Sequence, residues 1–332
     1  MSRRAWLGLW IAAAALIVPA AHLALGRGVD WSELLAGTDT VSWRVLTELR
    51  LPRLVVAMFA GTALGLAGLA LQSVLCNPLA APELTAVNPS AVLGYLIASG
   101  TGLIDGGSVF SSVLSATVGG LLGGGLLWLV AHRRTSEQTA VLGLLSALAL
   151  TGVVTILIAA RPTGVGGALR WLIGSVEARV AEHVPMIAIP VLAGFAALVL
   201  VADRLEILAV SDSHAHCLGV SPGFWRGVGI GIAVLLASAA VATVGPLAFV
   251  GFVAPHVVRL VFGGRLRRQV MLVAVCGGLF VAASDLIAKA VSLAIQLTGD
   301  GQQVGVPVGA VTCLIGAAAL VAVASSHQES EP

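Results

Sequence analysis

Residues 49–75 read LRLPRLVVAMFAGTALGLAGLALQSVL, two arginines astride a proline followed by an apolar run. A hydrocarbon core of about 30 Å needs ~20 apolar residues in helical conformation. The stretch from Leu54 to Leu75 supplies them without a single charged side chain. Arg50 and Arg53 therefore stand at a membrane threshold. Fixed positive charge there either anchors a helix among lipid head groups or receives something acidic.

Working outward, the same apolar pattern recurs along the whole chain of 332 residues. The composition is 58% hydrophobic and 10% charged, with a mean hydropathy of +1.01. A water-soluble domain carries roughly 25% charged residues, so a soluble fold of this size is excluded. A β-barrel would alternate polarity over ~10-residue stretches, and no such alternation occurs. The pattern predicts an all-α polytopic membrane protein with about ten transmembrane helices. They fall near 5–25, 52–75, 87–104, 109–131, 140–160, 184–202, 227–245, 247–262, 270–291 and 305–325. Pro89 and Pro255 interrupt the third and eighth. The first stretch follows Arg3 and Arg4, has too long an apolar run for a secretory signal and lacks a small-x-small cleavage site. It is expected to remain as a span, with both termini in the cytoplasm.

The arginines sharpen the opening question. Clusters at 132–134 (HRR) and 265–268 (RLRR) suit the cytoplasmic side. Yet the opposite face would carry Arg27, Arg44, Arg50, Arg53, Arg161, Arg170 and Arg179, with Lys289 at an outer helix end. An outer face so rich in cations calls for a reason beyond topology. Glycine is plentiful, at 40 residues, and Gly61, Gly65 and the GGLLGGG run at 119–125 have the small-residue spacing that lets helices pack closely in lipid.

Chemistry has few candidate sites. Metal or acid–base work needs converging ligands. His256 sits alone near the end of a helix, and His214 and His216 lie in a polar loop without a carboxylate cluster. Cys76, Cys217, Cys276 and Cys313 are scattered without CxxC spacing, so they predict neither disulfides nor a zinc site. A Walker A motif needs GK[ST], but the one lysine is Lys289, within LIAKAV. ATP hydrolysis by the P-loop route is excluded. Asp285, four residues before Lys289, is expected to form a local ion pair with it along one helix face. Its other reading is a proton-coupling carboxylate.

Three polar segments stand out. The first is NPLAAPELTAVNPSAVLG (77–94), whose prolines predict a rigid loop and a broken helix. Such backbone is tolerated at membrane depth only when buried in protein or facing a cavity. The second, residues 205–226, is long enough for two short helices with Gly219 as the hinge that ends the first. The third is RWLIGSVEAR (170–179), an outer stretch with Trp171 at interface height.

With these pieces in place the chain resembles the FecCD-type permeases of ABC importers for iron–siderophore, haem and cobalamin, over nearly its full length. LRLPR (49–53) resembles the RLPR that opens the family's second helix, and NPLAAPELTAV (77–87) its NPLADPxLLG segment. WLIGS (171–175), GPLAFVGFVAPHVVR (245–259) and VPVGAVTCLIGA (306–317) are similar to further family motifs, in the right order. The resemblance implies the type II importer permease fold in one transmembrane domain, 1–332. It implies partners too: a second permease subunit, identical or similar, two cytoplasmic ATPase subunits and an extracytoplasmic substrate-binding protein. ATP and magnesium would be bound by the ATPases. The setting would be a bacterial plasma membrane, and neither a catalytic role nor a nucleic-acid partner is implied.

By position, Arg50 and Arg53 are the family's outer arginines that receive acidic residues of the binding protein, and Lys289 takes the place of a third. Lysine there loses the bidentate fork with carboxylates. The loop at about 205–226 resembles the ATPase-coupling loop, with Asp212, Ala215 and Gly219 at its motif positions and His216 replacing a common arginine. Gly143, Ser146, Thr151 and Gly152 of the fifth span are expected to line a weakly polar pathway. Departures are Pro89 for a common Ser or Gly, Gly305 for a frequent Glu, and AAALV (317–321) where a proline–aromatic pair is usual. The rival is an ion-gradient-driven secondary transporter, which would need paired intramembrane carboxylates or inverted repeats. An integral-membrane enzyme is weakened by the missing catalytic cluster.

Overall fold

The computed structural model describes residues 3–26, 29–35, 40–104, 108–131, 136–160, 173–298 and 305–328. Each predicted apolar stretch becomes a helix. In chain order they are α1 (Arg3–Ala24), α4 (Leu51–Val74), α5 (Val87–Gly100), α6 (Val109–Ala131), α7 (Ser136–Ala159), α8 (His183–Leu208), α10 (Pro222–Val244), α11 (Val250–Val261), α12 (Leu266–Thr298) and α13 (Val308–Gln328). Short helices α2 (Trp31–Leu35), α3 (Thr40–Arg44) and α9 (Asp212–Cys217) join them. Six stretches among the described residues are long and apolar enough to cross a membrane: 41–74, 109–126, 141–159, 183–208, 222–244 and 266–297. Helices α1, α11 and α13 carry shorter apolar runs.

Helices α4 and α10 form the centre, buried along most of their length, with α12, α11, α8 and α6 packed around them. Glycine decides how tightly. A Cβ on Gly61 would collide with the carbonyl of Gly277 on α12, and one on Gly68 with that of Gly251 on α11. Backbone meets backbone there. In lipid, where apolar surface has no water to escape, this close approach provides the packing energy. Around the rim, α6, α7 and α8 leave large apolar side chains outward, among them Leu122, Leu148, Ile156, Ile189 and Leu200.

Two local details depart from expectation. Pro52 stands in the first turn of α4, as predicted, yet does not begin the helical run. The helical run begins at Thr40 and passes through a π-helical stretch, Val45–Arg50, into α4. There the Leu51 amide bonds to Leu46 O, five residues back. Widening the turn lets the chain absorb a proline that lacks an amide hydrogen. Pro89, predicted to interrupt its helix, sits in the first turn of α5, where its missing donor costs little. In the 77–86 connection Ala80, Ala81 and Pro82 are buried in the protein with a single 3₁₀ turn at Pro82–Leu84, whereas residues 77–79 are exposed.

Candidate functional site

The two ends of the bundle carry different features. At the end where α4 begins, a cavity of about 460 Å³ opens between α1, the π stretch, α12 and the turn that precedes α8. Arg50, Arg53, Arg179 and Lys289 line it, with Glu177, Ser292 and Gly305. The three cations singled out in the sequence are thus brought together, from segments more than 230 residues apart. Sequence reasoning did not assign Arg179 to them.

A bonded network lies beneath the cavity. Arg53 holds Asp285 bidentately, Nε to Oδ2 at 2.8 Å and Nη2 to Oδ1 at 2.7 Å. His22, in the last turn of α1, sits 2.7 Å from the same Oδ2 through Nε2. Its Nδ1 is 3.2 Å from Lys289 Nζ. An ammonium only donates, so Nδ1 accepts, and Nε2 carries the hydrogen given to Asp285. Arg50 turns the other way, donating from Nη1 to the carbonyls of Leu23 (2.6 Å) and Ala24 (3.3 Å) at the end of α1. Those carbonyls close a helix and lack intrahelical donors, so Arg50 caps α1 while being buried itself.

This corrects one expectation. Asp285 does not pair with Lys289 one turn along α12; it is consumed by Arg53 and His22, and Lys289 turns to His22 instead. A buried carboxylate gains more from a two-pronged guanidinium and an imidazole than from one flexible ammonium on its own helix. His22 was missed altogether. Its one sequence signal is a lone imidazole in the last turn of a helix that is otherwise apolar from Ala5 onward.

The cavity's fourth cation is held by the segment from Ile173 to Glu182. The Ser175 amide bonds to Val244 O and the Gly309 amide to Gly174 O, pinning the segment to α10 and α13. Ala178 adopts φ 59°, a left-handed conformation uncommon for alanine. Arg179 Nη1 lies 3.3 Å from His183 Nε2, and burial pushes the guanidinium below its ordinary value. The carboxylate of Glu177 rests against Gly305, occupying the space a side chain there would need. Trp171, predicted at interface height, lies outside the described residues.

At the opposite end, α8 ends at Leu208 and α9 follows, with Ser211 Oγ accepting from the His214 amide as its N-cap. Gly219 closes α9 as predicted. It has φ +73°, its amide bonds to His216 O (3.0 Å), and that of Val220 bonds to Ala215 O (2.9 Å). That pair of bonds is a Schellman motif, which favours glycine. The second short helix expected after it is instead the opening of α10 at Pro222. Ala215 is fully buried. A Cβ on Gly219 would meet nothing within 4 Å. Asp212 begins α9, and its side chain lies outside the described residues. Behind the loop, Arg226 Nε donates to Val74 O and Arg259 Nη2 to Gln72 Oε1, tying the lower ends of α10 and α11 to α4.

The predicted pathway residues divide between two faces of α7. Gly143 is buried and Ser146 half-buried, whereas Thr151 and Gly152 are exposed, with open space over Gly152. His256 stacks on Phe252, with ring centroids 5.4 Å apart. Among the described residues, no three of His, Cys, Asp and Glu gather where they could hold a metal ion.

A helical bundle with several membrane-crossing helices, a cation-lined cavity at one end and a capped loop at the other is the form of a transport permease. The FecCD transport family matches residues 9–326, and the chain belongs to that family. It is 36% identical over 297 residues to the Fe(3+) dicitrate transport system permease protein FecD of Escherichia coli (strain K12), covering 87% of this chain and 88% of that one. It is 34% identical over 285 residues to the ferric enterobactin permease FepG of the same organism, covering 83% and 81%. A solved structure of a metal-chelate type ABC transporter in an inward-facing conformation superposes with a TM-score of 0.83. It shares 22% identity and covers 96% of this chain and 98% of that one, a likeness of fold.

Proposed function

We propose that the chain is the permease subunit of an ATP-driven importer for a ferric chelate, a ferric siderophore or ferric citrate being the natural cargo. All ten long helices cross the plasma membrane, both termini lie in the cytoplasm, and the cation cavity faces outward. There Arg50, Arg53 and Lys289 receive acidic residues of an extracytoplasmic binding protein. The loop at 205–226 faces the cytoplasm and seats α9 on a separate ATPase subunit, which holds ATP and magnesium. Two permeases, identical or similar, enclose the pathway between their α7 helices, with the exposed Thr151 and Gly152 on its wall and Gly143 and Ser146 behind them. Small, weakly polar residues suit a large, already chelated cargo that must enter and leave without a tight site.

The observation that carries this reading is the placing of the two motif-derived clusters at opposite ends of one bundle, in a chain of the FecCD family. Docking at one end and coupling at the other is what alternating access requires. Reconstitution tests it. Proteoliposomes holding the permease, its ATPase and external binding protein are expected to accumulate the loaded ferric chelate only with internal ATP. Uptake driven by a proton or sodium gradient, without the ATPase, would establish the secondary-transporter alternative.

A further inference from the structure

We propose that Arg179 is a fourth docking residue, and that the cavity it shares with Arg50, Arg53 and Lys289 is a socket for an acidic side chain of the binding protein. The inference rests on the reading above that this end faces the binding protein; the role of Arg179 is additional to it.

The argument begins with hydrogen-bond accounting. Arg53 is matched to Asp285, and Arg50 caps α1. Arg179 has neither kind of partner. It makes no ion pair among the described residues, and its buried Nε has no acceptor. Its one contact is Nη1 to His183 Nε2 at 3.3 Å. The Val180 amide points at the other nitrogen of the same ring, Nδ1, also at 3.3 Å. A neutral imidazole has one acceptor nitrogen. His183 can therefore satisfy Val180 or Arg179, not both. With the amide served, Arg179 is left with unmet donors on Nη1 as well as Nε. Buried donors without acceptors are costly, and the terminal Nη donors of a guanidinium without full acceptors suit a carboxylate.

Placement supports the same conclusion. The Ile173–Glu182 segment is anchored by backbone bonds to α10 and α13, and Ala178 holds a left-handed conformation immediately before Arg179. Strained backbone persists where surrounding structure fixes it, often at functional positions. The cavity, at about 460 Å³, is large enough to admit a glutamate or aspartate side chain. Its described walls present four cations and one carboxylate, that of Glu177, while Asp285 beneath is already shared by Arg53 and His22. Among the described residues the excess is positive. An entering carboxylate supplies an acceptor to the terminal Nη donors of Arg179 and finds Lys289, which also makes no ion pair among the described residues, on the neighbouring wall.

The test measures the affinity of cargo-loaded binding protein for the complete permease–ATPase complex in nanodiscs, by surface plasmon resonance at two salt concentrations. Arg179→Gln is expected to weaken binding by about tenfold to a hundredfold and to flatten its salt dependence. Arg179→Lys should restore the salt dependence and part of the affinity. Co-elution with the ATPase on size exclusion is the folding control. Should Arg179→Gln fail it, the milder Arg179→Lys carries the test, with an expected loss of severalfold. Wild-type affinity in a folded variant overturns the inference. So does lost uptake with unchanged binding-protein affinity, which would assign Arg179 to the cargo's route. Lys289→Gln separates the two levels. If it weakens binding and Arg179→Gln does not, only the socket role fails; if the wild-type complex does not bind at this face, the docking reading fails.

Discussion

The two ends of this bundle are built on opposite plans. At the cavity end, four cations and two carboxylates are crowded together, and Arg53, Asp285, His22 and Lys289 form one chain of bonds across α1, α4 and α12. At the loop end, Gly219 is surrounded by open space and α9 is a six-residue helix held by caps. One end is organised by charge, the other by backbone shape. Charge gives selectivity and fast association with a soluble partner. On the function proposed above, a short helix on a rigid cap would pass displacement to the ATPase subunit. The contrast sets what a mutation can do: at the cavity end stability and docking are entangled, at the loop end they are separable.

The largest expected effect tests that entanglement. Asp285→Ala removes the buried acceptor shared by Arg53 and His22 and leaves a half-buried guanidinium without its counterion. Breaking such a pair costs about 3–5 kcal/mol, so the detergent-solubilised protein should unfold at much lower temperature. An unchanged melting temperature would mean the network is not structural. A similar entanglement should make charge reversal of Arg50 and Arg53 together lower expression as well as uptake.

Glu83 extends the comparison into the interior. Asp285 accepts three hydrogen bonds, whereas neither carboxylate oxygen of Glu83 completes one, and burial raises its pKa to about 7 from an ordinary 4.5. Amides of Glu83 itself and Phe249 oppose the rise only in part. The folded state thus holds the proton more tightly than the unfolded chain. That contribution is fully present below pH 4.5 and is lost as pH climbs through 7. Glu83→Gln should therefore gain stability over wild type at pH 8, on the order of 3 kcal/mol at most, and little at pH 5. An equal difference at both values in thermal unfolding would refute the shift.

At the loop end, Gly219→Leu forces a side chain into φ +73° and should cost about 1–2 kcal/mol, with no clash inside the chain. ATP hydrolysis by the complex should lose its dependence on binding protein while the fold survives. Hydrolysis that stays coupled would detach the loop from the ATPase. The smallest expected effect belongs to Gly152→Ala on α7. Open space and a helical backbone predict a stability change within about 0.5 kcal/mol, so any loss of transport would report on the pathway alone.

Much of this was legible in the sequence because it is local. Apolar stretches set the helices to within a few residues, except where α8 and α12 continue past their apolar runs to Leu208 and Thr298. Gly219 follows from cap chemistry, and its left-handed conformation matches. The RLPR motif found Arg50 and Arg53, and the resemblance found Lys289. What the sequence hid is long-range. His22 meets Asp285 across 263 positions and Arg53 meets it across 232; no periodicity reports such partners. An (i, i+4) rule favoured Lys289 for Asp285, and a guanidinium from another helix won. Arg179 was one outer arginine among several until tertiary packing placed it in the cavity. Pro52 marked the first turn of α4 but not the π-helical stretch that leads into it.

The most direct measurement of the central claim is ATP hydrolysis by the reassembled permease–ATPase complex in nanodiscs, with and without cargo-loaded binding protein. Severalfold stimulation is predicted, abolished by Gly219→Leu and shifted to higher binding-protein concentration by Lys289→Gln. Hydrolysis indifferent to the binding protein, in a preparation that still moves ferric chelate down an ion gradient, would contradict the account.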